Sequence, residues 1–279
     1  MARFLIVTAD DFGLHVAVNE AIERASHAGT LTAASLMVGE VAFADAVERA
    51  RQLPDLRVGL HLTLADGRAV LSRRRIPDLI DAEGRFGDRM VRDGVRFFVL
   101  PHIRRQLEDE IRAQFEAFAA TGLKLDHVNA HKHFHLHPTV LSMILRIGRE
   151  FGLATGGVRV PAEPGWAATD RNRALALWLL LMKRRLRRGG VRYNDQLFGL
   201  THSGDMNEAR LLEILARLPD GVTEIYLHPA TQSGASIAAT MTGYRHTDEL
   251  VALMSKRVRD TLTSMRAMGL RCGGYSDLP

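Results

Sequence analysis

Leu125-Asp126-His127-Val128-Asn129-Ala130-His131-Lys132-His133-Phe134-His135-Leu136-His137-Pro138 is the stretch from which the fold is read. Leu125 to Ala130 has the composition of a short strand. Pro138 opens a helical pattern that runs to Phe151, as proline does in a helix's first turn. Between them lies a run of histidines at 127, 131, 133, 135 and 137, all odd positions. In an extended backbone alternate residues share a face, so these imidazoles are expected to start out pointing the same way. Imidazole is the commonest neutral ligand for zinc-like metals. A solvated loop would need neither this period nor the apolar residues that flank it.

The same strand-then-helix unit recurs along the chain. Strands are expected from Arg3 to Ala9, Leu31 to Val38, Arg57 to Thr63, Gly157 to Val160, Val222 to Leu227 and Leu270 to Tyr275. Helices are expected from Val16 to His27, Ala42 to Gln52, Pro101 to Thr121, Asp170 to Arg188, Asn207 to Leu218 and His246 to Met268. Leu64 to Leu100, punctuated by Gly67, Pro77, Gly84, Gly87 and Gly94, reads as a long irregular segment of the kind that forms lids and binding loops. Strands alternating with helices imply parallel strands joined by right-handed crossovers. The expected fold is α/β, a single irregular (β/α) TIM-like barrel domain over 1–279. A doubly wound open sheet is the rival, weakened because no dinucleotide-type glycine fingerprint follows the first strand.

Composition narrows the function. The 279 residues are 46% hydrophobic and 25% charged, ordinary values for a globular chain with ample core. The single cysteine, Cys272, forms no internal disulfide and reads as a small buried hydrophobe. The N-terminus runs straight into a strand pattern, so no signal peptide is expected, and the apolar run from Ala174 to Met182 is too short to span a bilayer. The net charge of +5 is concentrated in Arg73-Arg74-Arg75 and in Lys183-Arg184-Arg185-Leu186-Arg187-Arg188. With aromatics at 6% and no basic–aromatic interleaving, nucleic acid is not an expected partner.

Ligand-type residues fall at equivalent places. Asp10 and Asp11 end the first strand, His61 the third, His131, His133 and His135 follow the fourth, and His228 ends a late one. Each has a bland reading alone: Asp11 as a helix cap, His61 and His228 as satisfied core residues. In a barrel the C-terminal strand ends meet at one mouth, where active sites lie. One carboxylate with two histidines leaves metal positions open for water and substrate. A second carboxylate could take a proton from that water, and a histidine opposite could protonate a leaving group. These are the parts of metal-assisted amide hydrolysis.

Thr8-Ala9-Asp10-Asp11-Phe12-Gly13, Gly59-Leu60-His61, His131-x-His133-x-His135 and Leu227-His228-Pro229, in that order and spacing, resemble the YdjC-like carbohydrate deacetylases over nearly the whole chain. The resemblance implies an irregular (β/α) barrel that removes acetyl from N-acetylated sugars with one divalent metal ion, magnesium or zinc. It implies Asp11, His61 and His131 as metal ligands, Asp10 as general base and His228 as general acid. His133 and His135 would support the ligands or touch substrate. Arg159 would hold a sugar oxygen or orient a carboxylate. Thr8 stands where that family more usually has Asn.

The segment Arg159-Val160-Pro161-Ala162-Glu163-Pro164 is similar to the hopanoid-biosynthesis-associated deacetylases, which implies an N-acetylglucosaminyl lipid as substrate. Leu175, Leu177, Trp178, Leu179, Leu180, Leu181 and Met182 ahead of the basic run fit a helix lying at an anionic membrane surface, or a buried helix with a solvated basic end. The expected location is the cytoplasm, with peripheral contact at the inner membrane for a lipid substrate. A homodimer is compatible with the sequence. Soluble N-acetylglucosamine oligosaccharides are the alternative substrate. A metal phosphoesterase is the alternative enzyme, although such barrels commonly carry His-x-His where this chain has Asp10-Asp11.

Overall fold

The structure, a computed structural model, describes residues 3–167, 173–234 and 237–278. An apolar strand buried on both faces belongs in the middle of a parallel sheet, and β1 (Arg3–Phe12) lies there. β2 (Ala33–Leu36), β3 (Arg57–Leu62), β4 (His127–Ala130) and β5 (Gly157–Val158) follow in order on one side. β7 (Gly221–Leu227) and then β6 (Gln196–Phe198) lie on the other, and β8 (Arg271–Cys272) pairs with Phe4 and Leu5. All pairings between these strands are parallel. The helices α1 (Val16–His27), α2 (Phe43–Arg51), α3 (Met90–Val99), α4 (Pro101–Ala120), α5 (Pro138–Ile147), α6 (Arg173–Arg188), α7 (Glu208–Ala216), α8 (His246–Met254) and α9 (Lys256–Ala267) make the returns. The result is the expected irregular (β/α) barrel, in the form of a curled half-barrel.

Its open side lies between β5 and β6, and side chains replace the missing strand pairing. Asn194 Oδ1 accepts the Val160 N–H at 2.7 Å, and its Nδ2 donates to the Val160 carbonyl at 2.8 Å. The Leu197 N–H donates to the Ala162 carbonyl at 2.9 Å. Leu5, Phe12, Leu36, Leu60 and Leu227 are fully buried in the core. Each such side chain contributes about 1.5–3 kcal/mol relative to exposure.

Several boundaries differ from the sequence reading, each for a local reason. β1 does not stop at Ala9: it runs to Phe12 through a register shift, with Asp11 in the left-handed region at φ 65°. Part of the Leu64–Leu100 segment is the helix α3. The stretch before it is tied down from α4, where buried Glu110 accepts the N–H groups of Val70 and Leu71, both at 2.9 Å. The helix expected over 246–268 breaks at Ser255, whose hydroxyl caps α9 by accepting from the N–H groups of Arg257 and Val258. β6 is a strand the sequence reading missed. The expected start of α6 at Asp170 lies outside the described residues. Cys272 is half-buried rather than buried.

The histidine run itself is not extended. At His131 the chain leaves β4 into tight 3₁₀ turns, with Lys132 and His133 at φ 53° and 55°. The odd-numbered imidazoles therefore part company. The period that drew attention to them does not describe their geometry.

Candidate active site

Asp11 at the end of β1, His61 next to last in β3 and His131 just past β4 converge at the mouth of the half-barrel. Asp11 Oδ1 lies 3.0 Å from His131 Nδ1 and 3.3 Å from His61 Nε2. One ligand atom from each of the three falls within 4.8 Å of the others, and all three residues are buried. Asp11 Oδ2 is buried with no hydrogen-bond partner. Burial works to raise the Asp11 pKa, but the charge of His131 and the hydrogen bonds from both imidazoles hold the carboxyl well below its usual range. His131 is shifted upward: burial opposes its charge, and Asp11 overcomes that. A buried carboxylate with an orphaned oxygen between two imidazoles is costly unless a cation completes it. One carboxylate and two neutral imidazoles at this spacing fit a divalent metal with open positions.

Asp10 points elsewhere. Its Oδ2 and Oδ1 accept from the two terminal nitrogens of Arg159 at 2.5 and 2.9 Å, and Oδ1 also from Asn129 Nδ2 at 3.2 Å. Burial opposes its ionisation, yet Arg159 holds its pKa far below the carboxylate range. Arg159 is itself fully buried and pairs with Glu224 at 2.8 Å. Glu224 also accepts from Thr8 Oγ at 2.7 Å and from the Tyr275 hydroxyl at 2.5 Å. Of the two roles expected for Arg159, orienting a carboxylate is the one its contacts match.

The remaining expected residues divide between cavity and support. His228 and His133 line, with Asp10, His61, Tyr226 and Tyr244, a cavity of about 230 Å³. The backbone of His228 is gripped on both sides: its N–H donates to Glu249 Oε2 at 2.5 Å, and its carbonyl accepts from His246 Nδ1 at 2.6 Å. Burial pushes the His228 pKa down to about 4, although Asp11 and Asp10 oppose this, so the imidazole is neutral at pH 7. His133 lies 3.3 Å from the Tyr226 hydroxyl and is held well below its normal range, chiefly by burial. His135 faces inward: Nδ1 accepts the Ala130 N–H at 3.1 Å and Nε2 lies 3.1 Å from the Arg159 carbonyl, so it braces β4 against the segment after β5.

The sequence reading missed Asn129, Glu224, Tyr226, Tyr244 and Glu249. Glu224 carried a signal, since a carboxylate inside the apolar strand Gly221–Leu227 needs a buried cation. Asn129 stood in the histidine stretch, two residues before a ligand-type residue.

Two grooves flank the cavity. One of about 350 Å³ shares His131 and Met241 with it and mixes Glu40, Asp66, Arg68 and Arg85 with apolar Leu14, Val41 and Ile237. The other, of about 700 Å³, shares Lys132 and His133 and is apolar, walled by Val91, Val95, Phe98, Leu136 and Trp178.

Comparison with known proteins gives the family. Residues 4–264 match the family described as YdjC-like protein. The chain belongs to that family. It is 33% identical over 261 residues to a carbohydrate deacetylase of Brevibacillus brevis, covering 91% of this chain and 92% of the relative. It is 30% identical to a carbohydrate deacetylase of Geobacillus stearothermophilus, over 82% of this chain and 80% of that one. The crystal structure of an Enterococcus faecalis V583 protein, described as a candidate cellobiose-phosphate cleavage protein, has the same fold: TM-score 0.74 at 24% identity, covering 99% of this chain and 98% of the other.

Proposed function

We propose that this YdjC-like protein is a metal-dependent hydrolase that removes the acetyl group from an N-acetylated sugar, and that the sugar is carried on an apolar lipid, as in an N-acetylglucosaminyl hopanoid. The observation that carries the hydrolase reading is the pairing of the Asp11–His61–His131 cluster, with its orphaned Asp11 oxygen, and an ionised Asp10 at the wall of one cavity. The carbohydrate deacetylases among its relatives support the sugar amide as substrate.

Asp11, His61 and His131 would hold the divalent ion, which supplies a Lewis acid for the amide carbonyl and acidifies its water. Asp10 accepts the proton of the attacking water on Oδ2, which has Arg159 as its one donor, whereas Oδ1 accepts from both Arg159 and Asn129. Because Arg159 makes Asp10 a weak base, this transfer depends on the water being acidified. His228 stands across the cavity as the residue that returns a proton to the departing amine. Being neutral at the outset, it would receive the proton that Asp10 took from the water and pass it to the amine nitrogen as the C–N bond breaks. His133, beside Tyr226, contacts the sugar. Magnesium and zinc both suit the donor set.

The apolar groove supports the lipid part of the reading. It opens from the cavity at Lys132 and His133, where an aglycone would leave the sugar. Val91, Val95 and Phe98 are exposed on α3, and Leu177, Leu180 and Leu181 on α6. α6 ends in exposed Arg184, Arg185, Arg187 and Arg188, which suits peripheral contact with an anionic membrane. Among the described residues no helix is long and apolar enough to cross a membrane. Acetate release, with metal analysis, over a panel of N-acetylglucosamine oligomers and an N-acetylglucosaminyl lipid tests the proposal. Turnover of the lipid in preference to the oligomers is expected; release from neither would overturn it.

A further inference from the structure

Behind the metal cluster lies a line of buried polar side chains that ends on Asp10 and His61 at the cavity wall. Asp126 Oδ2 is 2.9 Å from His127 Nδ1, and His127 Nε2 is 2.9 Å from Ser35 Oγ. Asn129 Nδ2 donates to Ser35 Oγ at 3.0 Å and to Asp10 Oδ1 at 3.2 Å, and Asn129 Oδ1 lies 2.6 Å from His61 Nδ1. Asp126, His127 and Ser35 have the order of a nucleophilic triad, but Ser35 and His127 have no exposed surface. They therefore need a different role.

The hydrogen-bond inventory fixes that role, because only one assignment of protons satisfies the whole line. Asp126 is an acceptor, also receiving the N–H groups of Tyr275 at 3.0 Å and Ser276 at 2.8 Å. His127 Nδ1 then carries the ring proton, and Nε2 accepts from the Ser35 hydroxyl. Ser35 has a lone pair left for Asn129 Nδ2, whose second hydrogen goes to Asp10. The Asn129 amide is thereby pinned with its nitrogen toward two acceptors. Its oxygen faces His61 and can only accept. His61 must carry a proton on Nδ1, so the nitrogen that would give its lone pair to an ion is Nε2, 3.3 Å from Asp11.

We propose that Asn129 is a positioning residue that fixes the tautomer of His61 for metal binding, and that Asp126, His127 and Ser35 hold Asn129 in the orientation that does so. This rests on the metal reading given above. The sequence makes room for the relay at Gly59, where a Cβ would fall 2.5 Å from the His127 ring. Gly59 and His61 therefore serve one device, with His127 lying over the strand two residues ahead of the ligand it orients.

Long-range proton–nitrogen NMR of the histidine rings in metal-free protein reads the tautomer directly. Wild type should show His61 protonated on Nδ1. Asn129→Ala should convert it to the Nε2–H form or a mixture. Zinc affinity, titrated with the metal alone, should fall about 10–100-fold, the range seen when a ligand's hydrogen-bond partner is lost. Asn129→Asp keeps the acceptor and should restore the tautomer and most of the affinity. If Asn129→Ala does not fold, Ser35→Ala carries the test, with a partial shift of tautomer and affinity expected. An Nε2–H His61 in wild type, or an unchanged tautomer and affinity in the folded variants, would overturn the proposal. Failure of wild type to bind zinc, magnesium or another divalent ion while His61 holds the Nδ1–H form would overturn the metal reading instead.

Discussion

Asp10 and Asp11 are consecutive, yet Arg159 holds both oxygens of Asp10, at 2.5 and 2.9 Å, while Asp11 keeps a buried oxygen with no partner. The left-handed backbone at Asp11, φ 65°, separates them. Such a conformation costs a non-glycine residue on the order of 1–3 kcal/mol and persists only where its surroundings over-determine it. Here it turns one carboxylate toward two imidazoles and leaves the other against a guanidinium.

Asp10→Asn should therefore retain metal and lose turnover. Removing a general base costs roughly 10²–10⁴-fold in kcat. Metal content by elemental analysis, beside kcat, checks this. Loss of metal in the variant would make Asp10 a ligand instead. Arg159 would also lose one of its carboxylates, so a lower Tm should accompany the change.

His61→Ala and His131→Ala should each lower bound metal at equal total ion concentration. Full occupancy in both variants would overturn the ligand assignment.

His228→Ala should slow turnover about 10²-fold or more with metal retained. Burial holds His228 at about pKa 4, so it is neutral through pH 5–8 in the free enzyme. The wild-type kcat/KM should show no tenfold-per-unit decline across that range. Such a decline would mean that the reaction demands a His228 already charged.

Glu249 gives a pH-dependent stability. Burial lifts its carboxyl to about 7 from the ordinary 4.5, against the pull of the Met206 and His228 N–H groups. The folded state then binds more protons than the unfolded state between those values. Stability falls as pH rises through that window, by up to about 1.4 kcal/mol per unit. Thermal melts from pH 4.5 to 7.5 should show wild type losing Tm relative to Glu249→Gln. Parallel curves would place the Glu249 pKa at its ordinary value.

Phe98→Asp, at a half-exposed position on the wall of the apolar groove, should raise KM for a lipid-linked sugar about tenfold, the worth of roughly 1.4 kcal/mol of apolar contact. KM for a soluble N-acetylated sugar should not move. Equal effects on both would detach the groove from substrate choice.

Much of the fold was legible because β1, β3 and β7 are continuous apolar runs and the intervening helices carry a clear period. β6, of three residues, is too short for any pattern to mark it, whereas two-residue β8 lies inside the strand expected over Leu270 to Tyr275. The convergence of Asp11, His61 and His131 followed from topology alone, since C-terminal strand ends share one mouth. The geometry of the histidine run was not legible. Left-handed Lys132 and His133 are held by tertiary contacts such as the Lys132–Asp66 ion pair at 2.8 Å, which no local pattern encodes. Asn129 and Glu224 were hidden for the same reason: their roles lie in partners 94 and 65 residues away, Ser35 and Arg159.

The Tyr275 hydroxyl reaches Glu224, which grips Arg159, which grips Asp10. The orientation of the proposed base is thus underwritten from outside the cavity, by the Tyr275 hydroxyl. Until Tyr275 and Ser276 dock, Asp126 lacks their N–H donors and Glu224 lacks a hydroxyl. The mouth of the barrel can then be in place while the base behind it lacks its support. Proteolytic clipping after Gly273 would have the same effect, silencing the site from its far side while leaving every residue of the cavity in place.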